Sequence, residues 1–66
     1  MKLYSDITDT EIREIVATWD QASRLDRHTS LWLAEHDYNW DPDRTDDQNR
    51  AEFEKIAHRA RKALAG

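Results

Sequence analysis

The sequence of 66 residues has no cysteine, one glycine and one proline. Without cysteine, the chain forms neither a disulfide framework nor a thiolate zinc site, the two common means of stabilising very small domains. A single glycine also excludes a glycine-rich phosphate-binding loop. No apolar run approaches the roughly 20 residues of a membrane-spanning helix, and the first residues are too polar for a signal peptide. We therefore expect a soluble, cytoplasmic protein that holds no cofactor and no metal.

The apolar content is small for a chain that must fold without cross-links, because charged residues make up 36% of the sequence. Ordering the chain costs on the order of 100 kcal/mol of conformational entropy, and burial has to offset nearly all of it. We expect one helical domain over residues 1–66, and association with a copy of itself or with another protein would add to its thin core. A preference for arginine over lysine, seven to three, favours a bacterial or phage source.

The first helix has a clear start. Thr8 and Glu11 have the spacing of a capping box, in which each side chain bonds the other residue's backbone N–H, and Ile7 can pack on Ile12. The apolar residues that follow fall on one stripe at about 100° per residue. These residues are Ile12, Ile15, Val16, Trp19 and Ala22. The pattern predicts an amphipathic helix over residues 8–24.

The last helix carries the same kind of signals. Thr45 and Gln48 offer a second capping box, and Gly66 lies where a helix would end. One apolar face contains Phe53, Ile56, Ala57, Ala60 and Leu64. These observations predict a helix over residues 46–64.

The middle helix, predicted over residues 27–39, is apolar on two sides. One face carries Leu31, Ala34 and Tyr38, and the nearly opposite face carries Trp32, Leu33, His36 and Trp40. A helix of this kind has to be covered on both sides. Either it packs on both of its neighbours, or the second face stays partly exposed as a binding or dimer surface. Together the three segments predict an all-α, small three-helix bundle, with a dimer as an open alternative.

Residues 37–48 join the second and third helices and are rich in aspartate. Oxygen-bearing side chains at alternate positions resemble the first ligands of an EF-hand calcium loop, with Asp37, Asn39, Asp41 and Asp43 in the places of those ligands. The resemblance implies weak calcium binding, although Pro42 and Gln48 stand where that family has glycine and glutamate. The simpler interpretation is a turn begun by Asp41 and Pro42, followed by aspartates that favour a helix N-terminus.

The charge distribution offers another alternative. Residues 1–47 carry 5 basic and 12 acidic side chains, whereas residues 48–66 carry 5 basic and 2 acidic ones. A helix-turn-helix-like regulator could read nucleic acid with its basic last helix, using Arg50, Lys55, Arg59, Arg61 and Lys62. Against this, the net charge of −4 and the aspartates beside that helix repel phosphates. The linker is also longer than the usual turn of about three or four residues.

No catalytic constellation is present in the sequence. The serines lack a nucleophile elbow, the histidines are not spaced as metal ligands, and no carboxylate pair belongs to an identifiable pocket. We therefore expect no enzyme activity and no small-molecule substrate.

The favoured interpretation is a small acidic protein-interaction module, such as an inhibitor, adaptor or subunit, that binds a partner protein or a second copy of itself. Aromatic side chains are enriched at the centres of protein interfaces, and clustered aspartates gain from a cationic partner. Contact with nucleic acid or with a membrane is not expected. The predicted contact residues are Trp32, Leu33, His36, Trp40, Asp41, Asp43, Asp46 and Asp47.

Overall fold

The polypeptide folds into helices in the order that the apolar periodicity predicts. The structure is a computed structural model that describes residues 2–66. Its helices are α1 (Asp9–Ala17), α2 (Leu25–Glu35) and α3 (Asp46–Ala65). A 3-10 turn at Tyr4–Asp6 precedes α1, and two short strands, β1 (Lys2–Leu3) and β2 (Tyr38–Asn39), pair in parallel. The predicted all-α, three-helix bundle is confirmed, with this small strand pair in addition.

Helix α1 begins at the predicted capping box. The Thr8 hydroxyl accepts from the Glu11 amide at 3.2 Å, and the Glu11 carboxylate accepts from the Thr8 amide at 3.2 Å. The helix ends at Ala17 rather than at residue 24. Thr18 caps this end, since its hydroxyl donates to the Glu14 carbonyl at 2.9 Å.

The seven residues between α1 and α2 continue the apolar stripe of α1 in the sequence but form a loop. Asp20 accepts a hydrogen bond from the Ala22 amide at 2.9 Å, a local bond that competes with the helix, and Gln21 has a positive φ of 66°. The Trp19 indole donates to the Ser23 carbonyl at 2.9 Å. Local polar bonds therefore override a periodicity that favoured a longer helix.

Helix α2 also ends before its predicted boundary. Asp37 adopts the left-handed conformation, with φ 64°, which aspartate tolerates better than most residues. The chain then becomes extended, and Tyr38 and Asn39 pair with Lys2 and Leu3. A strand of two residues has no alternation to detect, so the sequence pattern did not indicate it.

Helix α3 matches its prediction closely. The Thr45 hydroxyl accepts from the Gln48 amide at 3.1 Å, and the Gln48 side chain accepts from the Thr45 amide at 3.0 Å. Helix α3 packs against both other helices. Two of its cations, Arg59 and Arg61, form ion pairs with Asp9 of α1 and Asp26 of α2.

The core is built from all three helices and β2. Its buried cluster contains Ile7, Ile12, Ile15, Trp32, Leu33, Tyr38 and Ile56. Tyr4 and Phe53 pack against this cluster while remaining partly exposed. No helix within residues 2–66 combines the length and the hydrophobicity needed to cross a membrane.

Candidate protein-interaction surface

Two of the predicted contact residues belong to the core. Trp32 is 5% exposed and Leu33 is fully buried. They share their face of α2 with Leu25 and Thr29, which are also buried and complete a heptad-like stripe. The structure therefore corrects the expected exposure of Trp32 and Leu33. The predicted helix began near residue 27, whereas α2 begins at Leu25. The face predicted from the sequence therefore left out Leu25, which is buried together with Trp32 and Leu33.

His36 lies at the C-terminal end of α2 and is half-buried. Its ring stacks on the Trp32 indole with centroids 3.7 Å apart, and its Nδ1 donates to the Trp32 carbonyl at 2.8 Å. The hydrogen bond and the stacking fix the orientation of the imidazole. His36 therefore covers Trp32 instead of extending a continuous aromatic face towards Trp40.

Among the large side chains of the predicted contact residues, Trp40 is the most exposed, with 41% of its surface accessible. It lines a shallow depression of about 330 Å³ together with residues from α2, α3 and the 3-10 turn. We call this depression the Trp40 groove; it is lined by Tyr4, Ser30, Trp40, Arg50, Phe53 and Glu54. The Tyr4 and Phe53 rings lie 6.2 Å apart in a tilted arrangement. An exposed indole thus adjoins a partly exposed aromatic pair.

Asn49 anchors the loop that carries Trp40. Its side-chain amide is buried and bonds both backbone groups of Asp41, accepting from the amide at 2.9 Å and donating to the carbonyl at 3.0 Å. It also donates to the Thr45 carbonyl at 3.2 Å. On the other side of Trp40, strand β2 is held by its pairing with β1. The backbone on both sides of Trp40 is therefore fixed by hydrogen bonds.

Asp41 belongs to the turn that the sequence predicts. One carboxylate oxygen accepts from the Asp43 amide at 2.9 Å, and the other lies 3.6 Å from the Arg44 guanidinium. Arg44 also pairs with Glu52 of α3 at 3.2 Å. Asp41 is half-buried and committed to these local bonds, so its carboxylate is less available to a partner than those that follow it.

Three further aspartates of the predicted surface are exposed. Asp43 lies in the loop, and Asp46 and Asp47 form the first turn of α3. No ion pair is found for these three side chains among residues 2–66. Their negative charges stabilise the N-terminal end of α3 through the helix dipole, and they also make the surface at this end of the molecule negative.

Two of the side chains that would serve as calcium ligands in residues 37–48 take part in local hydrogen bonds. The Asn39 side chain donates its amide to the Asp37 carbonyl at 2.9 Å, and Asp41 is held by its turn. No group of three or more His, Asp or Glu side chains in residues 2–66 converges as metal ligands would. The loop has the geometry of a capped turn that leads into α3.

The nucleic-acid alternative loses part of its cationic surface within the fold. Of the five basic residues assigned to the reading helix, Arg59 and Arg61 pair with Asp9 and Asp26, and Lys55 pairs with Glu52. Ten residues, 36–45, separate α2 from α3. Their length and acidity both differ from the short turn of a helix-turn-helix.

A partly buried hydrogen bond links the start of α1 to β2. The Tyr38 hydroxyl donates to the Glu11 carboxylate at 2.6 Å, and this bond holds the pKa of Glu11 below its ordinary value. Burial, with the same bond, raises the pKa of Tyr38 well above its ordinary value. The Lys2 ammonium lies 4.9 Å above the Tyr38 ring. The Tyr38–Glu11 bond and the Lys2 contact together hold β2, which precedes the Trp40 loop.

Several residues of the Trp40 groove were not predicted from the sequence. The sequence placed Phe53 on the apolar face of the last helix and Arg50 in the nucleic-acid alternative, and it gave Tyr4 no role in a site. Only the fold brings them beside Trp40.

No protein-family model, curated protein or solved structure matches this chain.

Proposed function

We propose that this protein is a small protein-interaction module that presents Trp40 and its acidic loop to a basic patch on a partner protein. The proposal rests on one observation above others: a large aromatic side chain is left 41% exposed on a loop whose backbone is anchored. Tryptophan contributes more than most residues to interface affinity, because one rigid ring buries a large area with little loss of conformational entropy. An inhibitor, adaptor or subunit of the cytoplasm would act in this way, with no catalytic step.

The surroundings of Trp40 support this proposal. Tyr4 and Phe53 offer additional aromatic area in the same groove, and Arg50 adds a side chain type that is common at interface centres. Asn49 holds the loop before any partner arrives, so little ordering is needed on binding. The groove therefore has the composition and the preorganisation of an interface centre.

The charge of the acidic loop indicates that the partner is basic. Asp43, Asp46 and Asp47 are exposed beside the groove and have no ion-pair partner among residues 2–66. Charges at the rim of an interface mainly steer association and select against partners of the same sign. We therefore expect the partner to carry lysine and arginine around an apolar contact.

The decisive experiment compares two exposed apolar residues. The tagged wild-type protein, Trp40→Ala and Leu64→Ala are used as bait in extracts of the native host, and the captured protein is then purified for calorimetric titration. Leu64 is 48% exposed and does not line the Trp40 groove, so it is the matched control. We expect Trp40→Ala to weaken binding by about 2 kcal/mol or more, roughly thirtyfold, and Leu64→Ala to change it by less than about twofold.

The partner's class and the role of the loop are tested with the same material. Replacing Asp43, Asp46 and Asp47 by asparagine should slow association and reduce its salt dependence. Equal affinities for wild type and Trp40→Ala would contradict the proposal. Capture of nucleic acid that is lost on replacing Arg50 and Lys62 would favour the regulator instead, and assembly of the purified chain into a dimer through Trp40 would identify the partner as a second copy.

A further inference from the structure

A second groove lies on a different flank of α2. Ser30 faces the Trp40 groove, whereas Leu31 and Glu35 line a depression of about 380 Å³ between α1 and α2. We call it the α1–α2 groove; Glu14 and Thr18 line it from α1, and His28, Leu31, Trp32, Glu35 and His36 line it from α2 and its C-terminal end. It has room for one or two side chains rather than for a folded domain.

An uncovered leucine forms the apolar part of this groove. Leu31 is 51% exposed, the highest exposure of the large apolar residues within residues 2–66. Glu35 follows Leu31 by four positions, so the two side chains are neighbours on one flank of α2. Covering Leu31 would remove apolar surface from water at a favourable free energy of roughly 25 cal/mol per Å².

Backbone carbonyls hold both histidines of the α1–α2 groove. His28 Nε2 donates to the Ile15 carbonyl at 2.8 Å, and His36 Nδ1 donates to the Trp32 carbonyl at 2.8 Å, because a carbonyl can only accept. The Thr18 hydroxyl has already donated to the Glu14 carbonyl. These bonds also fix both rings before any ligand binds.

The charge of the α1–α2 groove has one sign. Glu14 and Glu35 are exposed, and neither forms an ion pair among residues 2–66. In the part of the chain that the structure describes, no lysine or arginine lines the groove. Arginine and lysine are cationic, and their aliphatic stems can pack along an apolar residue while the charged group reaches a carboxylate.

We propose that the α1–α2 groove binds a basic amphipathic helix of a partner protein. An apolar side chain of that helix packs on Leu31, and an arginine or lysine one turn away bonds Glu14 or Glu35. The two unpaired carboxylates beside the exposed Leu31 select this occupant over an acidic or neutral segment. The site is independent of the Trp40 groove, since the two have no lining residue in common.

The test uses a synthetic helical peptide of about 14 residues, long enough to form a helix on binding, with leucine and arginine four positions apart on one face. Binding to the full chain is followed by amide chemical shifts, which report both the affinity and the location. We expect saturable binding whose shifts cluster on α1 and α2. The double variant Glu14→Gln and Glu35→Gln should weaken binding by about fivefold to tenfold.

The matched control is Glu54→Gln, which removes one exposed carboxylate from the Trp40 groove. It should leave the peptide's affinity within about twofold, as should Trp40→Ala. Equal weakening by Glu54→Gln would overturn the proposal, because the attraction would then be unspecific. Absence of saturation below about 1 mM, equal binding of a peptide with glutamate in place of arginine, or a dimer that Leu31→Ala abolishes would each overturn it as well.

Discussion

Trp32 and Trp40 lie eight positions apart in the sequence but occupy different environments. Trp32 is 5% exposed and stacks between His36 and Tyr38, whereas Trp40 is 41% exposed at the edge of α3. On an uninterrupted helix the two indoles would lie about 80° apart, on one face. The left-handed turn at Asp37 ends that helix and separates them. One indole then belongs to the core, and the other is left for a surface.

The two tryptophans are also held in place by different interactions. Trp32 is positioned by the regular helix and by apolar packing with the core cluster. Trp40 is positioned by the polar bonds that Asn49 makes to the neighbouring residue. The two tryptophans therefore have separate roles. Apolar packing around Trp32 stabilises the fold, and the hydrogen-bonded loop holds Trp40 at the surface.

The largest expected effect is that of Trp32→Ala. Removing a buried indole leaves a cavity within the core cluster and should lower the free energy of unfolding by about 3–5 kcal/mol. A chain of this size has little more than that in reserve. Urea unfolding monitored by circular dichroism measures the loss.

Trp40→Ala is the matched substitution at the exposed position. It should lower the free energy of unfolding by about 1 kcal/mol or less, since surface substitutions rarely do more. If both variants were destabilised equally, Trp40 would belong to the stabilising core and the division of roles would be lost.

The next effect is expected at the anchor of the loop. Asn49→Ala leaves the amide and carbonyl of Asp41 without their partner and should lower the free energy of unfolding by about 1–3 kcal/mol. The indole N–H resonance of Trp40 should also broaden or shift, because its backbone is no longer held. Asn39→Ala is the control, as the one hydrogen bond found for the exposed Asn39 side chain within residues 2–66 is to the Asp37 carbonyl of its own loop. An unchanged Trp40 resonance in Asn49→Ala would show that something else fixes the loop.

The helices and caps of this fold were predictable because their signals are local. Thr8 with Glu11 and Thr45 with Gln48 form the predicted capping boxes, and the start of α3 is found at its predicted position. The ends of α1 and α2 were not predictable from apolar periodicity. They depend on Thr18, Asp20 and Asp37, whose side-chain bonds or backbone conformation compete with a helix that the periodicity favours.

The candidate site was predictable only in part, for a related reason. Trp40 was assigned through the second apolar face of the middle helix and the aspartates through their charge. Trp40, Asp43, Asp46 and Asp47 are exposed in the structure. Trp32 and Leu33 were assigned to the same surface because the helix was taken to run through residue 39. Tyr4 and Phe53 come to the groove from distant parts of the chain, and a pattern read along the sequence carries no information on such contacts.

The last expected effect concerns the polar bond behind the core. Tyr38→Phe removes the hydroxyl that bonds Glu11 and should lower the free energy of unfolding at neutral pH by about 1–2 kcal/mol. The Lys2 contact above the ring and the packing on Trp32 remain available to phenylalanine. Tyr4→Phe is the control, since no hydrogen bond is found for the Tyr4 hydroxyl among residues 2–66.

The pH dependence of this difference follows from the two pKa shifts. The pKa of Glu11 is lowered in the folded state, so its contribution is present above the ordinary value of 4.5 and is lost as the pH falls. The pKa of Tyr38 is raised, so its contribution is present below the ordinary value of 10.0 and is lost as the pH rises beyond it. The stability advantage of wild type over Tyr38→Phe should therefore form a plateau between these values and decline on both sides. A difference that stays constant from acid to alkaline pH would mean that the bond does not couple the two groups, and Tyr38 would then resemble Trp32 in acting through packing alone.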